Sequence, residues 1–320
     1  MGLVRLLPRR SATPTGVPAD AASLEPPRAL DLAVTLAAVP ATAPESAVAG
    51  RAAPAATRVI VLANQKGGVA KTTTTLNLGV ALSEQGYRVL LIDLDPQGNL
   101  TMSQGLNPDT LERSMFDVLV HKLPLSEVVE RREVDIAVSS IDLAGAELAL
   151  SSLIGRERAL DKALAEARGS YDVILVDTPP SLGLLTINAF VAATGVIVPV
   201  QCEYLSLRGL VQLENTLAMV RENLNPHVAV QGILATMFDG RTLHAREAIE
   251  ILEENFGELV FRTRIRKTVR YAEAPVKGHS ILRYDPNGSA ADAYRDLARE
   301  LVERGLMGEV AHGAQAREYA

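Results

Sequence analysis

The stretch Asn64-Gln65-Lys66-Gly67-Gly68-Val69-Ala70-Lys71-Thr72-Thr73 sets two adjacent glycines among two lysines and two threonines, residue types suited to holding phosphate. Adjacent glycines let backbone N–H groups approach phosphate oxygens, a helix starting near Lys71 adds the positive end of its dipole, and Lys71 places a cation against the terminal phosphates. Thr72 then offers a hydroxyl to Mg²⁺. The spacing misses the strict Walker A pattern of Gly, four residues, Gly, Lys and Ser or Thr at two places: Gln65 occupies the first glycine position and Ala70 the second. If position 70 requires a positive φ, its methyl group costs on the order of 1 kcal/mol or forces a small adjustment. Taken alone, the segment also fits a plain glycine turn between a strand and a helix, with a solvated lysine.

Two further segments add carboxylates. Leu91-Ile92-Asp93-Leu94-Asp95-Pro96-Gln97-Gly98-Asn99 ends an apolar run with two aspartates and a proline that stops regular structure. Asp95 is placed to orient an attacking water. Tyr171-Asp172-Val173-Ile174-Leu175-Val176-Asp177-Thr178-Pro179-Pro180 supplies Asp177 at the end of another apolar run, where a Walker B aspartate holds magnesium through water.

These residues need strands and helices to bring them together. Short runs that are apolar throughout occur at 59–63, 88–93, 135–139, 172–177, 195–200 and 228–235, with helical stretches between most of them. Continuous rather than alternating apolar strands belong in a parallel sheet buried on both faces, with right-handed helical crossovers. The expected fold class is therefore α/β: a doubly wound, mainly parallel sheet flanked by helices. Ligands of such sheets lie beyond the carboxyl ends of the strands, so the residues after Ala63, Ile92 and Val176 should converge. Residues 1–57 are rich in Ala and Pro without periodic patterning and are read as a disordered tail. The expected division is a tail over 1–57, one domain over 58–308 and a flexible C-terminal tail over 309–320.

Bulk composition narrows the classes. The chain is 48% hydrophobic and 4% aromatic, with no Trp, which suits an aliphatic core. Its single cysteine, Cys202, excludes an internal disulfide framework and a Cys-rich cluster within one subunit; it follows an apolar run and reads as a small buried hydrophobe. No apolar run reaches the ~18–20 residues needed to span a bilayer. The net charge of −6 draws no phosphate backbone by itself, but between Arg262 and Arg283 seven basic residues stand against one acid, Glu273. Such a segment can contact phosphates without reading bases, or can be the solvent-facing side of an edge strand.

Together, the loop and the carboxylate segments resemble the ParA/MinD family of deviant Walker ATPases over roughly residues 58–306, with a close likeness to ParA and Soj proteins over 63–101. The resemblance implies ATP and Mg²⁺ as cofactors, bound by Lys66, Gly67, Gly68, Val69, Ala70, Lys71, Thr72 and Thr73. Lys66 would be the signature lysine that reaches the nucleotide of the other subunit in an ATP-bound homodimer. Lys71 would be the phosphate-loop lysine, Thr72 the magnesium ligand and Asp95 the residue that supports hydrolysis, with Asp177 and Asp93 near magnesium through water. The segment Ile265-Arg266-Lys267-Thr268-Val269-Arg270 departs from the relatives' usual Ile-Pro-Arg-Asn-Val-Arg near the adenine, which leaves Thr268 as the candidate base contact. By the same resemblance Arg241, Arg266, Lys267 and Arg270 would bind double-stranded DNA without sequence preference. A ParB-type protein would stimulate slow hydrolysis, in the cytoplasm and on the nucleoid.

Other functions fit less well. A MinD-like membrane-cycling ATPase needs a basic amphipathic C-terminal helix, whereas 290–304 carries Asp292, Asp296, Glu300 and Glu303 and reads as a packed helix. A nitrogenase-type iron protein needs two cysteines per subunit. A repressor with an N-terminal helix-turn-helix finds no helices in the Pro-rich start. A ParA-like positioner of another cargo would share the same switch and differ only in its partner.

Overall fold

The computed structural model describes residues 56–202 and 206–308; the expected tails over 1–57 and 309–320 lie almost wholly outside these residues. Among the described residues eight strands form one sheet: β1 (Arg58–Leu62), β2 (Val89–Asp93), β3 (Val129–Arg131), β4 (Asp135–Ala137), β5 (Val173–Asp177), β6 (Gly195–Gln201), β7 (Val230–Phe238) and β8 (Val260–Arg266), in the order β3-β4-β2-β5-β1-β6-β7-β8. Every neighbouring pair is parallel except β3 with β4. The expected doubly wound sheet is therefore present, with one short antiparallel strand added at the β4 edge.

Ten α-helices among the described residues connect the strands: α1 (Lys71–Glu84), α2 (Asn99–Ser103), α3 (Ala146–Ser151), α4 (Ala159–Ala163), α5 (Leu184–Ala192), α6 (Ser206–Asn223), α7 (Leu243–Phe256), α8 (Arg270–Val276), α9 (Ile281–Tyr284) and α10 (Ser289–Glu303). The central strands β1, β2 and β5 are buried along almost their full length, because aliphatic side chains that alternate sides meet helices on both faces. One face packs under α1 and α10, around Leu78, Leu82, Phe261, Tyr294 and Leu297; the other packs under α5 and α6, around Val176, Phe190, Val198 and Leu217. Helix α10 buries Ala291, Tyr294, Leu297, Ala298 and Leu301 against this core, so its apolar stripe is spent inside the protein. No helix among the described residues is long and apolar enough to cross a membrane.

The basic segment begins in the edge strand β8, whose register with β7 shifts between Val260 and Arg264. At that irregularity the carboxylate of Glu300 accepts hydrogen bonds from Arg262 N (2.8 Å) and Thr263 N (2.9 Å), satisfying backbone donors that the ladder leaves over. Burial pushes the Glu300 carboxyl up, but these bonds and those from the Thr263 and Arg304 side chains outweigh it and hold it below the usual range.

A second long-range contact lies beside the helices. Gly105, after α2, and Gly278, after α8, meet backbone to backbone: a Cβ on Gly278 would stand 3.1 Å from Gly105 Cα. Both residues have positive φ, 74° and 70°, which only glycine adopts at no steric cost.

Candidate functional site

The strand ends converge as the parallel sheet requires. Asp177 at the end of β5 is the register partner of Leu62 in β1 and of Asp93 in β2, so the phosphate-type loop leaves the sheet directly beside two carboxylates. Hydrogen bonds from other strands pin the loop. Asn64 donates to Pro199 O (2.7 Å) and its own side-chain oxygen accepts Lys66 N (2.9 Å). Thr178 Oγ1 donates to Leu62 O (2.8 Å), and Thr236 Oγ1, from β7, donates to Val69 O (3.1 Å). Sequence reasoning misses Asn64, Thr178 and Thr236, since each acts through a partner more than 100 residues away.

Gly68 has φ 74° with open space where a Cβ would stand, and Gly67 would bring one only to 3.9 Å from Pro180 Cβ; the loop backbone is therefore accessible from outside. Ala70 adopts φ 64° and ψ 32°. The position does need the left-handed conformation, and an L-residue holds it. From there α1 starts at Lys71, with Thr74 N donating to Ala70 O at 2.9 Å. Thr73 O accepts Asn77 Nδ2 (2.7 Å), and Asn77 Oδ1 accepts Ile281 N (2.7 Å), tying the first turn of α1 to α9.

Lys71 is buried, at 7% exposure. Burial lowers its pKa, while the neighbouring carboxylates of Asp177 and Asp95 act to keep its charge. Thr72 Oγ1 donates to Asp177 Oδ2 at 2.6 Å. Asp177 is itself fully buried: burial first, then repulsion from Asp93, pushes its carboxyl well above the usual range against the pull of Thr72 and Lys71. A hydroxyl beside a buried carboxylate is a set of hard oxygen donors, suited to a magnesium ion that keeps most of its coordination for water and phosphate. The described residues hold no cluster of three His, Cys, Asp or Glu that could form an all-protein metal cage.

Asp93 and Asp95 belong to a closed ring of hydrogen bonds. Asp93 Oδ1 accepts Asp95 N (3.1 Å), and Asp93 Oδ2 accepts Thr101 N (2.9 Å) and Thr101 Oγ1 (2.7 Å). Thr101 Oγ1 accepts Ser139 N (3.0 Å), and Ser139 Oγ returns to Asp95 O (2.8 Å). The backbone of Asp95 is thus held on both sides, while its carboxylate lies near Lys71. Burial raises Asp93 to about 7 despite the bonds from Thr101 and Asp95. Water-mediated contact with magnesium is the sequence-based expectation for Asp93, whose two oxygens here already accept three protein hydrogen bonds.

The remaining candidates are spread more widely. Lys66 is exposed, and its Nζ donates to Gln201 Oε1 at the end of β6 (3.2 Å). Thr268 Oγ1 accepts Arg270 N (3.4 Å), a local turn contact. Arg241 is paired twice to Asp239, at 2.9 and 2.7 Å. Arg270 is ion-paired to Asp285, Arg264 to Glu253, and Arg262 to Glu300 and Glu303. Arg266 and Lys267 are exposed and make no ion pair with the described residues. Folding therefore neutralises part of the charge that the linear count assigns to this segment. Cys202 is 8% exposed, and burial pushes its thiol to about 11 even though Arg264 pulls it down; a thiol so protected is no nucleophile at neutral pH.

Comparison with known proteins agrees with this geometry. A family model described as "AAA domain" matches residues 57–230. The chain is 44% identical over 251 residues to the sporulation initiation inhibitor protein Soj of Bacillus subtilis, covering 78% of this chain and 99% of that protein. It is 40% identical over 250 residues to the chromosome partitioning protein ParA of Myxococcus xanthus, covering 77% and 88%. Among solved structures, a Mycobacterium smegmatis protein described as cobyrinic acid a,c-diamide synthase, with bound ADP and magnesium, superposes with a TM-score of 0.70 at 42% identity, covering 79% of this chain and 97% of that one. With its deviant loop, buried lysine and strand-end carboxylates, the chain belongs to the ParA/Soj family of ParA/MinD-like P-loop proteins.

Proposed function

We propose that this protein is a DNA-partitioning ATPase that binds ATP and Mg²⁺ at Lys66–Thr73, closes into a homodimer, and binds double-stranded DNA without sequence preference until hydrolysis releases it. The observation that carries the proposal is the cluster at the strand ends: Lys71 buried beside Asp177 and Asp95, with Thr72 bonded to Asp177. Backbone N–H groups of residues 67–73 and the start of α1 receive the phosphates, and Lys71 adds its charge there. Mg²⁺, held by the Thr72 hydroxyl and by Asp177 through water, supplies neutralisation of the phosphate charge. Asp95 orients the attacking water, held in place by Asp93, Thr101 and Ser139. Lys66, exposed at the rim, reaches the nucleotide of the partner subunit, and Thr268 contacts the base.

Two loops leave the sheet at Asp95 and Asp177, where the γ-phosphate can order them and its loss can release them. Slow intrinsic turnover keeps the DNA-bound state until a ParB-type partner accelerates hydrolysis. Arg266 and Lys267 are the first DNA contacts on this reading, while Arg241 and Arg270 exchange their carboxylate partners for phosphates. The protein acts in the cytoplasm, on the nucleoid.

The test measures ATP turnover and DNA binding for the wild type, Lys71→Ala and Asp95→Ala, with ATP and with ADP, across a salt series. The proposal expects DNA binding that needs ATP and Lys71, persists in Asp95→Ala and falls with salt. Turnover with no DNA binding in either nucleotide would sink the partitioning reading and turn attention to the synthase chemistry named for the M. smegmatis structure.

A further inference from the structure

The exposed cations of this protein divide into those that folding has matched to carboxylates and those it has not. Arg241, Arg262, Arg264 and Arg270 are matched. Arg131, Arg132 and Arg283 are exposed and make no ion pair with the described residues. Arg283 is far from the other two in sequence, yet all three line a single groove of about 1070 Å³ beside the amino ends of β2 and β4. A direct link brings their segments together: Ser280 N donates to Glu133 Oε1 at 3.0 Å.

The acids of the same groove are already engaged. Glu84 is held by Arg295, Glu133 by His279 and Ser280 N, and Asp135 by the Tyr171 hydroxyl. The groove therefore presents three exposed arginines without an ion pair among the described residues, while each of its acids has at least one protein partner. It also continues from the proposed DNA face. Helix α8 leads from Arg266 and Lys267 at one end to Lys277 and then Arg283 at the other. At ~1.5 Å per helical residue, the seven residues of α8 span roughly 10 Å, which faces about three phosphates of one strand.

We infer that this groove is a second contact for the phosphate backbone of duplex DNA, made by Arg131, Arg132 and Arg283. The inference rests on the DNA-binding reading above and adds to the basic segment, of which Arg283 is the last member, two arginines that the linear charge count leaves out, Arg131 and Arg132. Contacts of this kind depend on charge rather than on base identity, so lysine can replace arginine at each position. Removing one cation from the phosphate backbone should lower the slope of log affinity against log salt by about 1.

The experiment compares the ATP-bound wild type with Arg131→Gln/Arg132→Gln/Arg283→Gln and with Arg131→Lys/Arg132→Lys/Arg283→Lys, on a short duplex of arbitrary sequence across a salt series. Polyglutamate serves as an acidic polypeptide probe. The inference expects the glutamine variant to lose about tenfold or more in DNA affinity with a salt slope lower by about 2 to 3, and the lysine variant to retain both. DNA binding by the wild type with unchanged affinity and slope in the glutamine variant would overturn the groove. So would a glutamine variant that keeps its DNA affinity and loses only polyglutamate, which would make the groove a site for an acidic protein. A wild type that binds no DNA would instead refute the partitioning reading itself.

Discussion

Replacing Ala70 by glycine should stabilise the nucleotide-free protein. Ala70 sits at φ 64° and ψ 32°, a conformation that costs a residue with a Cβ roughly 1–2 kcal/mol and costs glycine almost nothing. Glycine also gives the unfolded chain more freedom, which offsets roughly 0.4–1 kcal/mol of the gain. The net expectation is about 0.5–1 kcal/mol, or roughly 1–3 °C in Tm for a domain of this size. Ala70→Val should move the midpoint the other way, because a β-branched side chain fits the left-handed region worst. Urea unfolding without nucleotide reads the effect as a shift in midpoint at constant slope. Since glycine holds the same left-handed geometry that Ala70 adopts, the ATP affinity of Ala70→Gly should change little. A lower midpoint for Ala70→Gly would show that residue 70 carries no such strain and would refute the reasoning.

Thr236→Val removes the β7 hydroxyl bonded to the loop and leaves Val69 O without that donor; it should cost about 1–2 kcal/mol and weaken ATP binding, read by thermal unfolding and nucleotide titration. Asp93, raised from 3.8 to about 7, binds a proton in the folded state that the unfolded chain has already released. Stability of the nucleotide-free protein should therefore fall as pH rises from about 4 through about 7, by up to about 4 kcal/mol from this group. Binding of Mg·ATP near pH 7 should release protons from Asp93 and Asp177, and calorimetry in buffers of different ionisation heat checks this; heats independent of buffer would contradict it. Glu300→Ala strips the bonds to Arg262 N and Thr263 N and should cost about 2–3 kcal/mol. Because the Glu300 carboxyl is held low, its contribution is present above the usual glutamate range and is lost as pH falls through its folded value, so the variant should differ least from wild type in acid denaturation.

The sheet and the heart of the site were legible because their signals are local. An apolar run of five residues gives β1, the glycines and Lys71 mark the loop and the first residue of α1, and aspartates end β2 and β5. The motif raised a positive φ at Ala70 only as a condition, and the structure supplies it at φ 64°. What escaped was set by distant partners. Ser139 reaches Asp95 across 44 residues and Thr236 reaches Val69 across 167, and neither serine nor threonine carries a spacing that announces this. Strand β3 has only three residues, too few to show alternation. The basic stretch from Arg262 was read by summing charge along the chain, whereas folding cancels Arg262 against Glu300 and Glu303 and Arg270 against Asp285. Charge is additive in sequence, but it acts by distance.

The meeting of Gly105 and Gly278 bears on how closely two segments of the molecule are locked together. Gly105 follows α2, which hangs from Asp93 through Thr101; Gly278 follows α8, which starts at Arg270 and is capped by Lys277. Side chains between two segments act as cushions, since rotamers can yield before backbones do. Here there are none, and a Cβ would already stand 3.1 Å from the opposite Cα. The pair works as a hard stop: neither segment can come closer to the other without displacing its backbone.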